Sequence, residues 1–134
     1  MAPRSRRRPI TERAGNRCEY CHLAQEHEPF STFHLDHILS RQHTLDDSED
    51  NFALACASCN LRKGSNIAGL DPETGEMVPL FHPRRQSWED HFAWDGAILT
   101  AKSVCGRATI HVLGMNHAEC VELREALIEE GVFP

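Results

Sequence analysis

Four cysteines in two Cys-x-x-Cys pairs, Cys18 with Cys21 and Cys56 with Cys59, and three polar residues set among them, Asp36, His37 and Asn60, have types and spacings that suit chemistry. Two such pairs brought to one point supply four thiolates for a tetrahedral Zn²⁺. That leaves no open position for water, so the metal holds shape and performs no reaction. Asn60 follows Cys59 directly and has no use in a sulfur site. A carboxylate and an amide oxygen, as in Asp36 and Asn60, are hard ligands suited to Mg²⁺ or Mn²⁺, with waters kept for a phosphate to displace. A neutral imidazole beside them, His37, takes a proton from water near neutral pH. Together they make the set needed for metal-assisted hydrolysis of a phosphodiester.

Short elements must position these groups. Pro3, Pro9 and the lack of apolar periodicity predict a flexible basic arm over 1–10, then a short helix capped by Thr11 and ended by Gly15. "STFHLDHI" reads as a strand, "SRQHTLDDSEDN" as a polar loop and "FALAC" as a second strand. "ASCNLRKGSN" then starts a helix in which Cys59, Asn60 and Lys63 lie within about one turn. Zinc would fasten that helix against the first strand and so bring Asn60 to Asp36.

Farther on, "NIAGL" and "MVPLF" read as strands around the turn "DPETGE", and Asp95-Gly96 signals a hairpin in "WDGAIL". Ser87 and Asp90 suggest a short helix between them, and "RATIHVL" is expected to be a strand. Asn116 and Glu119 resemble a capping box for a helix from about 117 to 130 that ends at Gly131 and buries Cys120, Leu123, Leu127 and Ile128. Cys105 and Cys120 read as free cysteines, and Trp88, Phe92 and Trp94 as core rather than base-stacking platforms, because acids are interleaved with them.

At 134 residues the chain has the length of one domain, expected over 11–134 after the arm. It has no apolar run of about 18 residues, and its arginine-rich start is not followed by an apolar stretch, so a cytoplasmic protein with reduced thiols is expected. Reduced Cys-x-x-Cys pairs favour metal. The net charge of −6 argues against an acidic partner until it is divided: residues 1–17 carry six arginines against Glu12, a net of +5, which leaves −11 on the rest. Arg4, Arg6, Arg7 and Arg8 in the arm, with Arg62 and Lys63 on the Asn60 helix, are the candidate phosphate contacts. Arg84 and Arg85 read as exposed loop residues, and the roles of His34 and His43 stay open.

The stretch "HLDHILSRQHTLDDSEDNFALACASCNLRKG", with "CEYC" before it, resembles the HNH endonucleases, specifically the standalone bacterial type with a four-cysteine zinc site. The likeness is closest over 18–64. It implies a small α+β fold, a zinc-stabilised ββα-metal finger of the His-Me, treble-clef-like kind, with an additional C-terminal hairpin and helix. It also implies cleavage of DNA to 5′-phosphate and 3′-hydroxyl ends. By position, His37 falls on the family's general base, Asp36 and Asn60 on the ligands of a catalytic Mg²⁺ or Mn²⁺, and Asn51 on a loop-bracing asparagine. Ser40 and Thr44-Leu45 depart from the proline and the Gly-Gly frequent in the family. The alternatives are a non-catalytic zinc-knuckle module that binds nucleic acid or protein, and a metal-dependent RNase.

Overall fold

The structure is a computed structural model and describes residues 4–134, with side chains from Arg6 onward. The chain divides into two compact units: residues up to 67 together with His82–Arg85, and Ala68–Phe81 together with Gln86–Pro134.

The first unit holds the candidate site. Helix α1, Arg4–Arg13, occupies most of the stretch expected to be a flexible arm and runs through Pro9 and Thr11. What orders it is packing that charge content conceals. Ile10 is wholly buried, Arg7 donates to the Phe33 carbonyl at 2.9 Å, and Arg13 donates to the Phe52 carbonyl at 2.6 Å. The chain leaves the helix through Gly15 and Asn16, both at positive φ, with the Asn16 N–H bonded to the Thr11 carbonyl.

Strand β1, His34–His37, pairs antiparallel with β2, Phe52–Ala55, so that Asp36 faces Ala53 and His37 faces Phe52. Every residue of β2 is buried. Helix α2, Ala57–Lys63, follows at once: Cys56 is its N-cap, its sulfur accepting from the Cys59 N–H, and Gly64 ends it at positive φ. Strand, loop, strand and helix are the expected ββα arrangement.

In the second unit, β3, Ala68–Leu70, pairs with β4, Met77–Pro79, and β5, Phe92–Asp95, with β6, Ile98–Ala101. Both hairpins fall where the turn residues put them, Gly75 and Gly96 standing at positive φ. Half-buried Trp88, which opens a short 3₁₀ turn ending at Asp90, lies with its ring tilted 5.2 Å from that of buried Phe92 and 5.8 Å from that of half-buried Trp94, so of the three only Phe92 is fully in the core. "RATIHVL" is helical, not a strand: it lies in α3, Val104–Leu113. Ser103 caps the Gly106 N–H and Gly114 closes the helix in the left-handed region, while Gly106, Thr109 and Leu113 are buried at helical spacing. A side chain at Gly106 would collide with the His91 carbonyl oxygen. Caps and a 3.6-residue pattern outweigh the β-branched content.

Helix α4 spans Ala118–Glu129, and its capping box is absent. Asn116 instead exchanges two hydrogen bonds with the Leu99 backbone, at 2.9 and 2.7 Å. The buried positions of α4 are Leu127 and Arg124, whose guanidinium donates to the Ala97 and Met115 carbonyls; Ile128, expected inside, is exposed. Cys105 and Cys120 are half-buried in this unit, and neither is in a disulfide.

Candidate active site

Cys18, Cys21, Cys56 and Cys59 converge in the first unit, all buried, with their sulfurs within 4.8 Å of one another. The first pair sits in a tight loop in which the Cys18 N–H bonds to the Leu23 carbonyl and the His22 N–H to the Cys18 carbonyl. The second straddles the start of α2. Cys21 and Cys56 sulfurs are 3.7 Å apart, near the ~3.8 Å edge of a tetrahedron with Zn–S bonds of about 2.3 Å. Hydrogen bonds from Cys18 and its neighbours favour a thiolate on Cys56, and hydrogen bonding with Cys18 pushes Cys21 and Cys59 up. Four buried sulfurs at this spacing are a donor set that fits a structural Zn²⁺.

Asp36 lies beside the cluster, almost wholly buried. The Tyr20 hydroxyl, from the loop between Cys18 and Cys21, donates to its Oδ2 at 2.8 Å. Lys63 Nζ, at the end of α2, donates to its Oδ1 at 3.2 Å and to the His37 carbonyl at 3.0 Å. Lys63 is 1% exposed, so the expected phosphate contact is instead an internal counter-charge. Burial pushes the Asp36 carboxyl up; Lys63 and the Tyr20 hydrogen bond pull it back.

His37 ends β1 with its ring 4.5 Å from that of Phe52. Its Nε2 lies 2.9 Å from Asp47 Oδ1, and Arg41 holds the other oxygen of Asp47 at 2.9 Å. The hydrogen bond to His37 lowers the Asp47 pKa, so Asp47 is an ionised, acceptor-only group and Nε2 carries the proton. In the neutral ring the lone pair is then on Nδ1. Sequence gave no means of choosing Asp47 among the acids of "DDSED"; loop closure alone selects it.

Asn51 is buried and ties the loop between the strands. It accepts from the Leu39 N–H at 2.9 Å and donates to the Leu39 and Asp46 carbonyls at 2.9 and 2.8 Å. Asn60 is half-buried on α2, and its side-chain amide has no hydrogen-bond partner among the described residues. Asp36, His37 and Asn60 all line one open cleft of about 450 Å³, with Ser40, Arg41 and Gly64. Lys63 Nζ stands 3.2 Å from both oxygens of Asp36; a carboxylate offers about four lone-pair sites, so acceptor capacity of the kind a hard divalent ion uses remains on Asp36, beside the amide oxygen of Asn60. His34 and His43 are exposed and do not line the cleft.

Of the basic candidates, Arg62 is exposed on α2 and Arg8 exposed on α1 in an ion pair with Glu12. Arg6 and Arg7 are half-buried, and the Arg4 side chain lies outside the described residues. Arg84, expected as an exposed loop residue, is half-buried in an ion pair with Glu19. Its segment, His82–Arg85, packs as part of the first unit.

A family model described as HNH endonuclease matches residues 18–66, a span that includes both cysteine pairs, Asp36, His37, Asn51 and Asn60. No curated protein and no solved structure gives a significant match. No helix among the described residues is long and apolar enough to cross a membrane.

Proposed function

Residues 18–66 form an HNH endonuclease domain, and from that premise we propose that the chain hydrolyses DNA phosphodiester bonds with a divalent ion, Mg²⁺ or Mn²⁺, held by Asp36 and Asn60. The observation that carries this reading is the single cleft lined by Asp36, His37 and Asn60, with His37 hydrogen-bonded to ionised Asp47.

In this mechanism His37 takes a proton from water at Nδ1 while Asp47 accepts the Nε2–H, which fixes the ring's orientation and stabilises the imidazolium that forms. The resulting hydroxide attacks phosphorus in line and the bond to the 3′ oxygen breaks, a proton from solvent completing the leaving hydroxyl, so that 5′-phosphate and 3′-hydroxyl ends remain. The chemistry a bound divalent ion supplies is charge neutralisation at the phosphate and the departing oxygen. Asn51 keeps the loop that carries Asp47 closed over β1. The four-cysteine cluster, with structural Zn²⁺, holds α2 and therefore Asn60 against Asp36.

One observation favours the rival, a non-catalytic zinc module: Lys63 already neutralises Asp36 from inside the protein. Incubating the zinc-loaded chain with plasmid DNA, and separately with RNA of matched length, in Mg²⁺, Mn²⁺ or Ni²⁺ separates the readings. Cleavage of DNA that EDTA stops supports the proposal; an inert protein that still binds nucleic acid favours the rival, and preferential RNA cleavage corrects the substrate.

A further inference from the structure

Tyr20 is the one tyrosine in the chain, and it is 1% exposed. It sits between Cys18 and Cys21, so its backbone is fixed by the cysteine cluster. The loop is also clamped to β2: the Glu19 N–H bonds to the Leu54 carbonyl at 2.8 Å, and Glu19 Oε2 accepts from the Leu54 N–H at 2.8 Å. From this double anchorage the phenol reaches Asp36 Oδ2 at 2.8 Å. Lys63, whose helix begins at the other cysteine pair, reaches Oδ1. Each half of the cluster thus delivers one donor to the same carboxylate.

We infer that Tyr20 is a positioning residue for the catalytic ion, transmitting the geometry of the four-cysteine cluster to Asp36. The inference rests on the reading of Asp36 as a ligand of that ion. A carboxylate on a short strand has two side-chain torsions to settle, and a buried one must find donors for its oxygens. Lys63 supplies charge but ends in a rotating ammonium on a flexible stem, which fixes a direction poorly. A phenol on a rigid ring fixes direction well, and its hydrogen bond restricts rotation of the Asp36 carboxylate at the cleft that Asp36 lines. Groups of this kind, bonded to a ligand and not to the metal, are typically worth about 10–100-fold in metal affinity.

Being the sole tyrosine makes Tyr20 its own reporter. In full-length, zinc-loaded protein labelled with ¹³Cζ-tyrosine, the one phenol resonance should shift saturably as Mg²⁺ is added, because the ion competes for the same carboxylate. In Asp36→Asn the shift should vanish. In parallel, Tyr20→Phe, which keeps the ring and its packing, should raise the Mn²⁺ dissociation constant about tenfold by electron paramagnetic resonance, with one zinc retained per chain. If Asp36→Asn abolishes Mn²⁺ binding, yet Tyr20→Phe binds Mn²⁺ like wild type and the tyrosine resonance ignores Mg²⁺, the inference is overturned and the ligand reading stands. If Asp36→Asn itself leaves Mn²⁺ binding intact, the ligand reading falls and takes the inference with it. Should Tyr20→Phe fail to retain zinc, the wild-type Mg²⁺ titration alone decides.

Discussion

His37 Nε2 and Asp47 Oδ1 stand 2.9 Å apart, joining the last residue of β1 to the loop that returns to β2. Because Asp47 is ionised and accepts, the neutral ring keeps its lone pair on Nδ1, the atom from which the proposed mechanism takes up a water proton. Asp47→Ala should lower kcat about 10–100-fold while the Mn²⁺ dissociation constant stays near wild type, since Asp47 touches the base and not the ion's ligands. Single-turnover kinetics beside a metal-binding titration measures both, and a variant with undiminished kcat would remove Asp47 from the mechanism.

Lys63 and Arg8 were expected to act alike and should behave differently. Lys63→Ala leaves a buried Asp36 charge unpaired and should cost about 3–5 kcal/mol of stability, read by denaturant unfolding. Arg8→Ala, at an exposed ion pair, should barely change stability but lower the log–log salt slope of DNA binding by about 0.9 if it touches a phosphate. Deleting residues 1–10 would be a poor substitute, because it also removes buried Ile10 and the Arg7 hydrogen bond to Phe33.

The zinc prediction is structural. Cys56→Ser removes a sulfur ligand while leaving a hydroxyl that can still cap α2, so the first unit should lose its metal and its cooperative unfolding transition through the lost ligand alone. Elemental analysis and calorimetry check this together; a zinc-free wild type with the same transition would contradict it.

In the second unit, Asp71 accepts from Arg107 Nε and Nη2 at 2.8 Å each, which holds its carboxyl well below the usual carboxylate range. With the folded pKa below the unfolded value of about 3.9, the unfolded chain binds more protons as pH falls through that region. The stabilisation is therefore present in full above about pH 4–5 and is lost progressively as the pH falls from there toward the depressed folded pKa. Asp71→Asn should melt lower than wild type at pH 7, with the gap beginning to narrow below about pH 4. A constant gap across that range would show that packing, not charge, accounts for the effect.

The convergence of the candidate residues was legible because their spacing is local: two Cys-x-x-Cys pairs form one sulfur cluster and an Asp-His at a strand end lines one cleft with Asn60. The ββα order and both later hairpins were legible for the same reason, as turn residues announced them. Tyr20 and Asp47 were not, because each acts through a contact made only on closure, and nothing in "CEYC" or "DDSED" marks which side chain turns inward. Helix α1 was missed because one apolar residue, Ile10, and two arginines bonded to backbone carbonyls hold it, and arginines in sequence look like solvent. Helix α3 was missed because Thr109, Ile110 and Val112 carry strand propensity, while Ser103 and Gly114, which decide the matter, lie outside "RATIHVL". Lys63 carried a charge that implied exposure; only the buried carboxylate two elements away explains its position.

Whether His37 is the base of a metal-dependent nuclease is decided by single-turnover cleavage of plasmid DNA in Mg²⁺ by wild type and His37→Ala. The variant should lose rate by at least about 10²–10⁴-fold, with zinc content, melting temperature and Mn²⁺ affinity near wild type. A His37→Ala protein that cuts at the wild-type rate, purified free of host nucleases, would contradict it.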